Sequence, residues 1–148
     1  MPAVKTLETP QERLRLAKRY LKNAREMLRM SPVDEEAGVY DDLKYVAEAS
    51  GTAYLAALEA LKALFMAKKG WSAEGVKEQT REIGRYRKII KELPIGRDKS
   101  LLLKLFSSVY TILHLGGYYR EMQNKKAIDA GFESVKKIIR IVEKHVSG

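Results

Sequence analysis

The chain has 148 residues, with 28 lysines and arginines against 19 acids for a formal charge of +9, a length that suits one domain with a single substantial core. It contains no cysteine, which excludes a disulfide framework, thiolate metal sites and thiol nucleophiles, and fits a reducing compartment. Residues 1–10 lack the apolar run of an export signal, and the longest apolar stretch, residues 105–119, is interrupted by Ser107, Ser108, Thr111, His114 and Gly116-Gly117; a cytoplasmic protein with no membrane span is expected.

The charge is unevenly spread. Residues 1–30 hold 8 basic and 3 acidic side chains, residues 31–70 hold 4 and 7, and the remainder holds 16 and 9. Basic ends that flank an acidic middle permit attraction to phosphates or to acidic proteins and leave the fold open.

Periodicity and punctuation predict about five helices. The first covers residues 10–30, with Thr9 as its N-cap, Pro10 in its first turn, and Leu14, Ala17, Leu21, Ala24 and Leu28 on a three-four seam. Ser31-Pro32 stops it, and a polar acidic link over residues 33–40 leads to a second helix opening at Asp41 or Asp42 and running to Lys69, about 43 Å long. Gly70 supplies a left-handed cap, and Trp71 folds back on the last turn. Within this helix, residues 49–58 carry no charge. A helical face with no charged side chain has to be covered by other helices, so this segment is expected at the centre of the fold, with Ala49, Gly51, Ala53, Ala56, Ala57, Ala60, Ala63 and Ala67 letting neighbours approach closely.

Ser72 caps a third helix over residues 73–93, with Val76, Ile83, Tyr86, Ile90 and Leu93 on one side. It is polar elsewhere, which predicts a place at the edge, and Pro94 ends it. Asp98 opens a fourth, apolar helix over residues 99–119, read as the second buried one. Asn124 marks the start of the last, where Ile128, Phe132, Val135, Ile139, Val142 and Val146 repeat in four-three steps. No internal repeat or low-complexity segment appears, and residues 1–148 are read as one helical-bundle domain.

Residues 20–28 (Tyr-Leu-Lys-Asn-Ala-Arg-Glu-Met-Leu), Tyr40-Asp41-Asp42 with the following Leu43 to Val46, Ala49 to Tyr54, Ala60 to Leu64, and His114 to Tyr119 together resemble the HEPN superfamily, and more narrowly an uncharacterised bacterial family within it. The resemblance covers most of the chain. It implies an all-α, antiparallel, up-and-down bundle of about five helices that often dimerises. Members of the wider group are RNA-cleaving toxins, companions of nucleotidyltransferases, or inactive binding modules.

The nuclease members carry arginine, four to six residues, then histidine, so that arginine holds phosphate while histidine transfers a proton. Arg140 and His145 meet that spacing formally. They stand at the end of the last helix, Ile141 replaces the usual polar residue, and positions five apart do not share a helix face. His114 has no arginine at the required distance before it. A catalytic site is therefore not expected.

Two binding surfaces are. Arg15, Lys18, Lys22, Arg25 and Arg29 recur in three-four steps along about 21 Å of the first helix, a row on which RNA, DNA or an acidic partner could lie with salt-dependent affinity. The plainer reading is a solvated face whose long stems cover the core edge. His114, Tyr118, Tyr119 and Arg120 form a candidate polar pocket for an anion or a base, the alternative being a buried histidine hydrogen-bonded to Tyr54. Metal chemistry has little support: no Glu-x-x-His pair exists, and Asp34, Glu35, Glu36, Asp41 and Asp42 cluster in a linker and a helix start. The expected function is that of a non-catalytic interaction protein, a homodimer whose partner is a protein or RNA, without cofactor or metal. The alternative is a divergent ribonuclease or toxin component.

Overall fold

The computed structural model describes residues 7–146. Residues 1–6, part of the segment read as lacking an export signal, lie outside the described residues, as do residues 147–148.

Helix α1, Pro10–Arg29, begins as its sequence dictates: Thr9 is extended and its hydroxyl accepts from the Glu12 amide at 3.1 Å, with proline following in the first turn. Its seam of Leu14, Ala17, Leu21, Ala24 and Leu28 is buried. It packs chiefly on α2, Leu43–Lys69, and secondarily on α6, Lys125–Val146. Asp42 caps α2 by accepting from the Lys44 amide, and Gly70 ends it at φ 67°. Only a residue without a Cβ adopts that angle freely.

Helix α2 is the axis of the bundle. It touches every other helix, and Ala49, Ala53, Ala56, Ala57, Ala60 and Ala63 are fully buried. Two of the expectations for it need correction. Ala67 is exposed, and in the charge-free stretch Leu55 is 46% exposed while Gly51 and Thr52 are only partly covered. The absence of charge predicts burial, yet one strip of this face opens on a cleft.

The expected open link is instead a short antiparallel hairpin, β1 (Val33–Asp34) pairing with β2 (Val39–Tyr40). Asp34 closes its turn by accepting from the Ala37 amide, and Gly38 takes φ 69°. The hairpin is tied to the far end of the chain, since the Tyr40 amide donates to the Gln123 carbonyl and the Tyr40 hydroxyl donates to Asp129.

The third predicted helix is two, α3 (Ala73–Gln79) and α4 (Gly84–Glu92). Ser72 caps the first through the Gly75 amide, whereas at the break the Thr80 hydroxyl turns back to the Val76 carbonyl at 2.7 Å. Thr80 takes the local hydrogen bond that competes with helix continuation. Val76, Tyr86, Ile90 and Leu93 are buried as their spacing requires, while Ile83, stranded in the break, is 38% exposed.

The fourth helix changes character midway. It is α-helical as α5, Asp98–Val109, and continues as a π-helix over Tyr110–Tyr119, where the Arg120 amide reaches back to the Leu115 carbonyl at 2.9 Å. Taken whole, Asp98–Tyr119 is 22 residues long and apolar enough to meet the length and composition of a bilayer crossing. Here it packs on α2 and α6, with Leu102, Phe106, Val109, Leu113, Gly116 and Gly117 inward. The wide π turn sets Gly117 against α2 so tightly that a Cβ there would stand 2.2 Å from the Ser50 hydroxyl. Asn124 caps α6 through the Ala127 amide, and the four-three series from Ile128 to Val146 is buried. The architecture is a helical bundle with a small hairpin at one end.

Candidate functional site

Helix α6 lies beside α1 and brings its own cations to the predicted basic row. Lys18, Lys22, Arg25 and Arg29 of α1 face Lys136 and Arg140 of α6 across a groove of about 430 Å³. Buried Leu21 and Ile139 form its floor, and Glu26 and Glu143 are its acids. Among the described residues only Lys18 of the six cations meets a carboxylate, that of Glu143 at 3.2 Å. Both partners of that pair are nearly half exposed, so the pair is weak and easily exchanged for another anion. Among the described residues the other five cations stand in no ion pair, and Glu26 and Glu143 are the carboxylates that line the channel with them.

Arg15 does not belong to it. It borders a separate depression with Leu7, Glu12, Leu16 and Arg19. At its other end the groove runs on, through Arg25 and Arg29, into a second hollow of about 460 Å³ beside the hairpin. There Asp129 receives the Tyr40 hydroxyl and, at 2.7 Å, the Lys125 ammonium. Burial and this carboxylate hold the Tyr40 phenol well above its ordinary pKa, so it stays a donor.

Arg140 and His145 part company. Arg140 looks into the groove, whereas the His145 Nε2 lies 2.8 Å from Asp98 at the start of α5, and Lys144 shares the same carboxylate at 2.7 Å. The lysine, then the histidine, hold the Asp98 carboxyl below its usual range. This arrangement ties the end of α6 to the start of α5, and it leaves Arg140 and His145 in different environments.

The second candidate surface has different chemistry from the one expected. His114, Tyr118 and Tyr119 do come together: the Tyr119 ring stands edge-on to His114 and to Tyr118, each at 5.1 Å. His114 meets Tyr54 by stacking, with centroids 4.4 Å apart and planes at 17°, in place of a hydrogen bond. Its pKa is lowered by burial, which disfavours the imidazolium. Arg120 is exposed and does not line the cleft of about 460 Å³ that opens here between Met27 of α1, the uncovered strip of α2 and the π segment. Among the described residues Glu48 is its one acid, and no lysine or arginine lines it. The anion reading therefore lacks its cation.

Two features were missed from sequence. Lys136 and Arg140 complete the groove, and their four-residue spacing on the polar side of α6 carried that signal. Arg13, 9% exposed on the seam of α1, pairs with Glu59 of α2 at 2.8 Å, with Lys62 at 3.3 Å from the same carboxylate. Its spacing of four residues from Ala17 and eleven from Ala24 carried that signal. Among the described residues no three acids or histidines gather as a metal site.

Residues 12–144 match the model of a family described as a domain of unknown function, DUF5618. A solved structure of a protein of unknown function from Dyadobacter fermentans is 33% identical, with a TM-score of 0.71, covering 92% of this chain and 97% of that one. No curated protein matches the chain.

Proposed function

The chain belongs to the DUF5618 family, which fixes kinship and no chemistry, and from its own side chains we propose that it is a non-catalytic binding module that grips the phosphate backbone of nucleic acid in the groove between α1 and α6. The observation that carries this reading is the set of five groove cations that stand in no ion pair among the described residues, contributed by two helices that face each other. Closely spaced like charges repel one another, and a string of phosphates offsets that repulsion with release of condensed counter-ions. Among the described residues no aromatic ring lines the groove. Contact is therefore with backbone rather than with stacked bases, and sequence preference is weak.

The kinship to HEPN bundles implied by the Tyr-Asp-Asp and Gly-Gly-Tyr-Tyr blocks is part of the same proposal, supported by the order and packing of the helices. Absence of catalysis is supported by the separate engagements of Arg140 and His145: a proton-transferring histidine held to Asp98 faces away from phosphate held at Arg140.

The test is binding and cleavage of labelled single-stranded RNA by the purified chain at two salt concentrations. Five phosphate contacts give an expected slope of log affinity on log salt of about −3.5. Binding is expected to fail when Lys18, Lys22, Arg25 and Arg29 are neutralised, and to survive Arg15→Ala. Cleavage that is lost in both Arg140→Ala and His145→Ala would replace this reading by the ribonuclease one. No binding at low salt would end it.

A further inference from the structure

On the uncovered strip of α2 the sequence leads one to expect a cover that the fold does not provide. Leu55 is 46% exposed in the middle of ten uncharged residues, and Tyr118 beside it is 51% exposed. Gly51 allows this geometry, since a Cβ there would press to 3.1 Å of the Tyr118 ring.

We propose that this cleft is a second binding site and takes a small, free organic cation with an alkylated surface, of the quaternary ammonium class. Its volume of about 460 Å³ falls in the range of small-molecule pockets. Three of its lining side chains are rings: Tyr118 lies nearly parallel to His114, at 10° and 6.3 Å, with Tyr54 stacked behind. Aromatic faces carry negative charge density and attract alkylated cations that shed water readily. The ionisable groups around the cleft agree in sign. Glu48 stands at its edge, no lysine or arginine among the described residues lines it, and burial disfavours the charged form of His114. An anion would meet Glu48 without a counter-charge, and a neutral apolar ligand would leave the carboxylate unused. The site is independent of the α1–α6 groove, and the two readings stand or fall separately.

Calorimetric titration of the full chain with choline, and in parallel with its neutral isostere 3,3-dimethylbutan-1-ol, isolates the charge. Choline is expected to bind at least about tenfold tighter than the isostere, and to shift the His114 and Tyr118 ring resonances. Leu55→Lys, an exposed change that places a cation at the cleft, is expected to abolish choline binding while thermal stability and RNA binding in the groove persist. Glu48→Gln is expected to weaken it by up to about fivefold. Equal binding of the isostere, no binding of choline, or a Leu55→Lys variant that binds as before would overturn the proposal. So would a doubled mass in sedimentation that Leu55→Lys returns to the monomer, since the cleft would then be filled by a second copy.

Discussion

Arg13 sits on the buried seam of α1, and its guanidinium is held by Glu59, which also receives Lys62. Removing one member of a buried pair leaves the other desolvated and uncompensated. Arg13→Ala should therefore destabilise the fold by about 3 kcal/mol, the low end for a buried pair because Lys62 stays with Glu59; urea denaturation measures it, and a loss under about 1 kcal/mol would mean that the pair is effectively solvated. Ser50 gives the opposite expectation. Its hydroxyl is fully buried and unpaired among the described residues, so Ser50→Ala, which removes an unsatisfied group, should leave the melting temperature unchanged or raise it. His114 supplies a pH dependence with a defined sign. Its native pKa lies below the ordinary imidazole value of about 6.5. Between the two values the unfolded chain binds a proton that the native chain does not, so this residue makes stability fall as pH drops below about 6.5. A His114 ring titration by NMR should give a midpoint below that value, and a midpoint at or above it would refute the buried, ring-stacked placement.

At the level of elements, what could be read from sequence was what local chemistry decides. Thr9, Asp42, Ser72 and Asn124 cap the helices they were expected to cap, and Gly70 takes the left-handed angle. These signals act within four residues, so no tertiary knowledge was needed. The hairpin, the break at Thr80 and the π segment were illegible for the converse reason. Each is decided by distant partners or by a competing local bond: Tyr40 by Gln123 and Asp129, the π turn by the close approach of Gly117 to Ser50. The π segment makes a direct prediction. Gly117→Ala would force a Cβ into the Ser50 side chain and should cost about 1 to 3 kcal/mol. Ala56→Leu and Ala57→Leu, at fully buried positions on the axis, should cost a similar amount. Thermal melts that are unchanged in all three variants would contradict the tight packing on α2.

On the scale of the whole molecule, the basic ends visible in the sequence are brought side by side by the antiparallel run of α1 and α6, and the acidic middle is spent on the hairpin and on the start of α2. That convergence could not be read from either helix alone, because the row on α1 looks like any solvated face until Lys136 and Arg140 appear opposite it. Arg15, included in the row by its spacing, is left on another surface. The central claim is therefore geometric: affinity for phosphate belongs to the groove and not to the net charge. Two double variants of equal charge change separate these causes. Fluorescence anisotropy with labelled RNA at low salt should show Lys136→Glu with Arg140→Glu reducing affinity by at least about tenfold and flattening the salt slope by about 1.4, while Arg15→Glu with Arg19→Glu changes it far less. Equal losses in the two variants would assign binding to overall charge and contradict the groove.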